Sequence, residues 1–322
     1  MRGESSWVPI DSFGALRVSG ADSVSFLQGQ LSNDVRLLTS ERALLAGYHN
    51  PQGRVIALLR LLQIAGGDVL AILPRELVAP VMQRLGRFVL RSKVRLSDES
   101  GGWSIKGLIG PTNPGQPDPD AHLPDRVNGV SRRDGGLAVR IAQQPARWLL
   151  LSADSDPSRR PAAGVGTGAL ELGTLWERLA VAGGEPEIYR ATTEAFVAQM
   201  LNLDALGAIA FDKGCYTGQE IIARAHYRGR VKRRMQRFLT DERVQLTPGE
   251  TGSLADGRTF RVVRVAPHDD GRCEFLAVTH LGGVAAAATQ EKDDLARESE
   301  TATGLSRALG VRALELPYPV PD

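Results

Sequence analysis

Residues 199–234 read QMLNLDALGAIAFDKGCYTGQEIIARAHYRGRVKRR. Within this stretch Thr217-Gly-Gln-Glu220 stands directly before Ile221-Ile222-Ala223, which is the spacing of a capping box: a hydroxyl accepts a first-turn amide proton and a carboxylate reaches back. The spacing predicts a helix opening near residue 217, with Lys213, Gly214 and Cys215 on the loop that leads into it. A thiol so placed lies near backbone donors and beside a cation, the setting in which thiolate chemistry is favoured. A buried, inert cysteine is the alternative reading of the same residue.

Outward from this loop the pattern mixes helices and strands. Upstream, Leu172, Leu175, Trp176 and Leu179 recur at helical spacing, and Gly183-Gly184 with Pro186 beyond marks a stop. Further back, ALLAGYH (43–49) and RVIALLRLLQI (54–64) flank Asn50-Pro-Gln-Gly53, a turn tetrapeptide, and so predict a hairpin. The strand VLAIL follows, and Val78, Val81, Met82, Leu85, Phe88 and Val89 then mark one helix face. Near the start, Val24, Phe26, Leu27 and Leu31 suit a short helix capped by Asp22 or Ser23. LAVRIA (137–142) and RWLLLS (147–152) predict a second hairpin. Downstream of about residue 231 the texture is β: MQRFL, TFRVVRV, the turn at His268–Gly271, then CEFLAVTH. Two loose segments, 110–120 with four prolines and 154–168, read as surface connections. The last forty residues carry no assignable pattern.

Composition narrows the function. With 322 residues, 42% apolar and 24% charged, the chain is an ordinary globular one of two or three domains, and its net charge of +2 implies no global polyanion-binding surface. Two cysteines, Cys215 and Cys273, make neither a disulfide scaffold nor a CxxC zinc site, so a reducing compartment is expected. The five histidines show no HExxH spacing, GxSxG is absent, and the glycines at 164, 166 and 168 lack a Walker lysine. No metal site is expected. The amino-terminal residues do not read as a secretory signal, and the apolar run 55–64 is interrupted by Arg60 and Gln63, so a cytoplasmic protein with no membrane partner is expected.

KGCYTGQE (213–220), preceded by LNLDALGAIAF and followed by ARAHYRG, closely resembles the signature of the YgfZ family of folate-binding proteins, relatives of the glycine-cleavage T-protein, an aminomethyltransferase. GADSVSFLQGQLSNDV (20–35), NPQGRV (50–55), FVLRSKVRL (88–96) and WERLAVAGGEP (176–186) resemble family segments in family order, so that the likeness spans about residues 10–280. The resemblance implies an α+β, T-protein-like multi-domain fold: two α/β portions around a central folate tunnel in 1–230, with a linker near 110–120, and a β-barrel domain and tail in 231–322. It implies tetrahydrofolate or a derivative as cofactor, and a role in assembling or repairing iron–sulfur clusters in enzymes that include tRNA-thiolating radical enzymes. Those enzymes or assembly proteins are the partners it implies, with at most an indirect or weak contact to tRNA. Cys215 and Lys213 form the candidate thiol loop. Phe13, Trp176, Asn33, Asp34, Gln219, Glu220 and Arg224 are the candidate folate-site residues, although Trp176 on an apolar helix face also suits pure core, and Asn33 and Asp34 also suit a turn.

Two departures bear on activity. The acidic pair that aminomethyltransferases carry after the NPxG-type turn is Ala57 and Leu58 here, and the glutamate of their EAG triplet is Ala182. Proton transfer needs a titratable group within reach. An accessory protein is therefore expected, with a one-carbon transferase as the alternative. A direct tRNA-binding module is a third reading, because Arg224, Arg228, Arg230, Lys232, Arg233, Arg234 and Arg237 fall within fourteen residues that hold no acid.

Overall fold

The structure, a computed structural model, describes residues 6–110, 123–133, 136–153, 167–229, 231–268, 270–281 and 308–321. Both proline- and glycine-rich connections expected at 110–120 and 154–168 lie almost wholly outside these residues. In chain order the elements are β1 (Ser6–Pro9), β2 (Phe13–Ser19), α1 (Ser23–Gln28), β3 (Leu44–His49), β4 (Val55–Gln63), β5 (Val69–Pro74), α2 (Arg75–Gly86), β6 (Arg95–Asp98), β7 (Trp103–Ile109), β8 (Val130–Arg133), β9 (Gly136–Gln143), β10 (Ala146–Ala153), α3 (Thr167–Ala182), α4 (Gln219–Tyr227), β11 (Arg233–Thr240), β12 (Thr251–Ser253), β13 (Thr259–Pro267), β14 (Cys273–His280) and β15 (Val311–Leu314). No described helix is long and apolar enough to cross a membrane.

The strands form three five-stranded sheets among the described residues, ordered β1-β7-β10-β9-β8, β3-β4-β5-β2-β6 and β12-β13-β14-β11-β15. The fold is α+β, as expected. Contacts divide the chain into two units made of alternating segments: Met1–His49, Ile56–Trp176 and Gly207–Thr217 in the first, Asn50–Val55, Glu177–Leu206 and Gly218–Asp322 in the second.

In the first unit β4 is apolar on both faces, with Ile56, Ala57, Leu58, Leu59, Leu61 and Leu62 all buried. That explains its near-continuous apolar run, since a strand covered on both sides loses the alternation of a half-exposed one. The turn after β3 closes as expected, Gly53 N–H donating to the Asn50 carbonyl at 2.9 Å. Two local expectations fail. Asp22 makes no side-chain cap on α1; its carboxylate instead accepts the Lys93 N–H at 2.7 Å, a partner 71 residues away, while Ser23 is buried. Phe88 and Val89 do not extend the face of α2, which ends at Gly86 and buries Leu77, Val78, Val81 and Leu85.

In the second unit the sheet of β11 to β15 buries Phe238, Phe260 and Phe275, whose ring centroids lie 5.5 and 5.8 Å apart in successive pairs, within the favourable range for tilted aromatic contacts. Cys273 is part of this core. The tail that carried no assignable pattern contributes β15, which pairs antiparallel with β11. Arg234 of β11, 2% exposed, makes a two-pronged ion pair with Asp204 at 3.0 and 2.9 Å. Removing one member of such a buried pair strands the other charge. Asp204→Asn is expected to cost about 3–5 kcal/mol, read as a lowered urea midpoint with an unchanged slope.

Candidate functional site

The loop that carries the signature belongs to the first unit as far as Thr217. Lys213 is buried, and its Nζ donates to the carbonyls of Gln28, Leu31 and Asn33 at 2.7, 2.6 and 2.9 Å. Three N–H groups meet three acceptors, so the ammonium closes the end of α1 and the polar turn after it around one point. Burial lowers its pKa to about 8, against the Asp34 carboxylate, which raises it. Asn33 is also fully engaged: its Nδ2 donates to the Leu45 and Gly207 carbonyls at 2.8 and 2.9 Å and its Oδ1 accepts the Asp34 N–H. Asp34 caps the short 3-10 turn Val35–Leu37 and pairs with Arg36 at 2.7 Å. That guanidinium holds the Asp34 carboxyl at about 2.

Cys215 is exposed. Two residues earlier Lys213 is buried, and one residue later Tyr216 is 7% exposed. The Lys213 ammonium lies 5.0 Å from the Tyr216 ring centroid, a cation–π contact. The thiol is thus carried on a short span between two fixed points and faces solvent. Beyond Tyr216, at 6.4 Å between centroids, stands the ring of His49 at the end of β3. His49 is 1% exposed, and neither ring nitrogen has a hydrogen-bond partner. Burial pushes its pKa down to about 3, the Gly47 main chain opposing the shift, so the imidazole is neutral.

The predicted capping box does not form. α4 begins at Gln219, its N-cap is Gly218 and no side chain caps it. Gly218 has φ +82°, and a Cβ there would meet the Asn50 carbonyl oxygen at 2.5 Å, so the turn into the helix is one that glycine makes and a threonine-capped entry does not. Glu220 pairs instead with Arg224 one turn on, at 2.9 Å, both side chains exposed. Gln219, Glu220 and Arg224 therefore lie together on α4 in the second unit, while Lys213, Asn33 and Asp34 cluster in the first.

Phe13 opens β2 opposite Pro74 and is partly exposed. Trp176 is 3% exposed. Its ring lies so close to β7 that a Cβ on Gly107 would come within 2.5 Å of it, and the Arg147 guanidinium stands 5.1 Å over it. No ring contact joins Phe13 and Trp176 among the described residues. The basic run is also less available than its sequence implies: Arg234 pairs with Asp204, Arg237 with Glu274 at 2.6 Å, and Arg224 with Glu220. Asp204 and Glu274 are distant in sequence from the arginines they neutralise, whereas Glu220 lies one turn before Arg224. Arg230 lies outside the described residues.

Sequence reasoning missed Tyr216 and His49. A polar residue ending the buried strand ALLAGYH was the available signal for His49, but a search of histidine spacings has no place for a single imidazole. Among the described residues no group of three or more His, Cys, Asp or Glu side chains is placed to hold a metal ion.

No protein-family model matches the chain. Over 277 residues it is 31% identical to the tRNA-modifying protein YgfZ of Klebsiella pneumoniae, covering 82% of this chain and 81% of that protein. Over 235 residues it is 33% identical to the tRNA-modifying protein YgfZ of Edwardsiella ictaluri, covering 70% and 67%. Among solved structures, the glycine cleavage system aminomethyltransferase T of Bartonella henselae superposes with a TM-score of 0.63 at 13% identity, over 87% of this chain and 79% of that one. The fold is therefore that of the T-protein.

The His49 site has a consequence for stability. Between its ordinary pKa of 6.5 and about 3 the unfolded chain binds a proton that the folded chain refuses, so stability falls as pH drops through this window. The expected loss at pH 5 relative to pH 7.5 is about 2 kcal/mol. In paired urea titrations at the two pH values, His49→Phe is expected to remove that component.

Proposed function

The chain belongs to the YgfZ family, and on that premise we propose that it is a folate-binding accessory protein that supports the assembly or repair of iron–sulfur clusters in client enzymes, including those that thiolate tRNA. The observation that carries this reading is the exposed Cys215 thiol, held between buried Lys213 and Tyr216 on the signature loop. A thiol fixed in position and open to solvent is suited to act on a second protein. The Lys213 ammonium, with its three donors committed to main-chain carbonyls, acts as the clamp that positions the loop.

Tetrahydrofolate, which carries one-carbon units on its reduced pterin, makes two demands: donors and acceptors for the pterin edge, and apolar surface for its rings. His49, a neutral and buried imidazole beside Tyr216, is a polar group of the kind the pterin edge requires, and Phe13 has a partly exposed ring. Trp176, sealed against Gly107, has its ring covered and is not a stacking surface. Aminomethyl transfer is disfavoured because Ala57 and Leu58, at the positions of the transferase acids, are buried apolar residues of β4 and neither can move a proton.

Two measurements test the reading. Tryptophan fluorescence of the wild-type chain is expected to change saturably with tetrahydrofolate, and His49→Phe to weaken the titration about tenfold; no saturable change would remove the folate claim. In a deletion strain, Cys215→Ala is expected to fail to restore tRNA thiolation, and full rescue would remove the thiol role.

A further inference from the structure

The segment between α2 and β6, in the first unit, carries apolar and basic side chains together on the surface. Phe88 is 47% exposed and Leu90 85%, and Arg87, Arg91, Lys93 and Arg95 around them are exposed too. Main-chain bonds hold the segment in shape. The Phe88 N–H donates to the Leu85 carbonyl at 2.9 Å, the Leu90 N–H to that of Phe88 at 3.0 Å and the Val94 N–H to that of Ser92 at 2.9 Å. Among the described residues no acid pairs with the four cations. Of the acids near them in the fold, Asp22 accepts the Lys93 main-chain N–H, Glu99 stands 3.8 Å from Arg17, and Asp98 is exposed at the far end of β6.

This segment runs directly into β6, the last strand of its sheet, which pairs with β2 and with no other strand among the described residues. The Ala15 carbonyl accepts the Glu99 N–H at 2.8 Å, and that bond fixes the phase of the ladder. Alternate residues of an antiparallel strand bond to the same neighbour. Arg95 and Ser97 therefore turn their main-chain groups to β2, and Leu96 and Asp98 turn theirs to the open side. An open edge is a template for another strand, and proteins commonly guard it with charge. Guarding does not account for Phe88 and Leu90, because apolar groups left in water beside an edge favour contact.

We propose that this surface docks an acidic, extended segment of a partner protein, added to β6 as a further strand. Main-chain bonds to Leu96 and Asp98 hold the segment, its carboxylates face Arg91, Lys93 and Arg95, and an apolar side chain covers Leu90. Other occupants leave part of the surface unmatched. A second copy of this chain sets the same cations against these. A nucleic acid offers phosphates to the cations and nothing to the edge carbonyls or to Leu90. A lipid surface leaves the edge N–H and C=O groups without partners in hydrocarbon.

The test is fluorescence anisotropy of the full chain, at neutral pH and low salt, with a short labelled peptide of alternating Glu and Leu. Saturable binding is expected, weakened about tenfold or more by Arg91→Glu and by Leu90→Ser. Leu96→Pro removes an outward N–H and no bond to β2, so it is expected to lose binding while melting, by circular dichroism, as the wild type does. Should it melt early, the same peptide N-methylated at alternate residues replaces it, and the wild-type chain is expected not to bind that peptide. Arg228→Gln, at an exposed arginine after α4 in the second unit, is expected to bind as the wild type does. No saturable binding, equal binding of the N-methylated peptide or of one with Lys in place of Glu, or equal loss in Arg228→Gln would each overturn the proposal. So would binding of phosphatidylserine vesicles or of an RNA oligonucleotide without the peptide. All these readouts are independent of tetrahydrofolate and of Cys215.

Discussion

One buried ammonium organises the signature loop. Taking a lysine charge out of water is costly, and it is tolerated where hydrogen bonds replace the lost hydration. Lys213 meets that condition with three main-chain carbonyls, and the benefit is mutual, because carbonyls at the end of a short helix need donors that the helix itself does not supply. An arginine could not substitute: its planar fork spreads five donors outward, whereas an ammonium sends three from a single atom toward converging acceptors. Asn33, Asp34, Tyr216 and the exposed Cys215 all take their places from this one anchor. The same geometry separates two roles that the sequence places side by side, since the cation next to the thiol in the chain is spent on holding the backbone.

How much of this was legible depended on the range of the interaction. The hairpin of β3 and β4, that of β9 and β10, and the pair β13 and β14 were readable because strand periodicity and turn residues are local signals. The helix caps were not. Asp22 has a suitable side chain in a suitable position, yet it spends its carboxylate on Lys93; Thr217 and Glu220 have capping-box spacing, yet the left-handed Gly218 sets the entry. In both cases long-range packing overrode a local preference. The position of Cys215 on a loop was visible, but the Lys213 cage was not, because its acceptors are main-chain atoms and every residue has those. His49 was invisible for a similar reason: what distinguishes it is burial and the want of a partner, neither of which spacing reports.

The arginine-rich stretch teaches a related point about charge. Seven cations without an acid between them suggest a surface for a polyanion. Folding brings Asp204 and Glu274 to Arg234 and Arg237, so part of the run is internal mortar for the β11 sheet. Local charge density is a poor guide wherever a strand alternates between a covered and an open face. By contrast Arg87, Arg91, Lys93 and Arg95 are exposed and meet no acid among the described residues. What folding brings to the cations, and not their density along the chain, decides the charge that a surface presents.

The alternation of segments between the two units has a consequence for synthesis on the ribosome. The carbonyl of Gln28 and the ammonium that satisfies it are separated by 185 residues, and at roughly 5–20 residues per second the first waits roughly 10–40 s for the second to be made. Until then the carbonyls of Gln28, Leu31 and Asn33 lack the donor that Lys213 brings. The first unit therefore cannot mature as an early, independent product of translation, and the thiol-bearing loop emerges at the moment its scaffold is completed. A nascent chain stalled before residue 213 would display an unfinished anchor and no Cys215, so the exposed thiol is never presented on a half-built support.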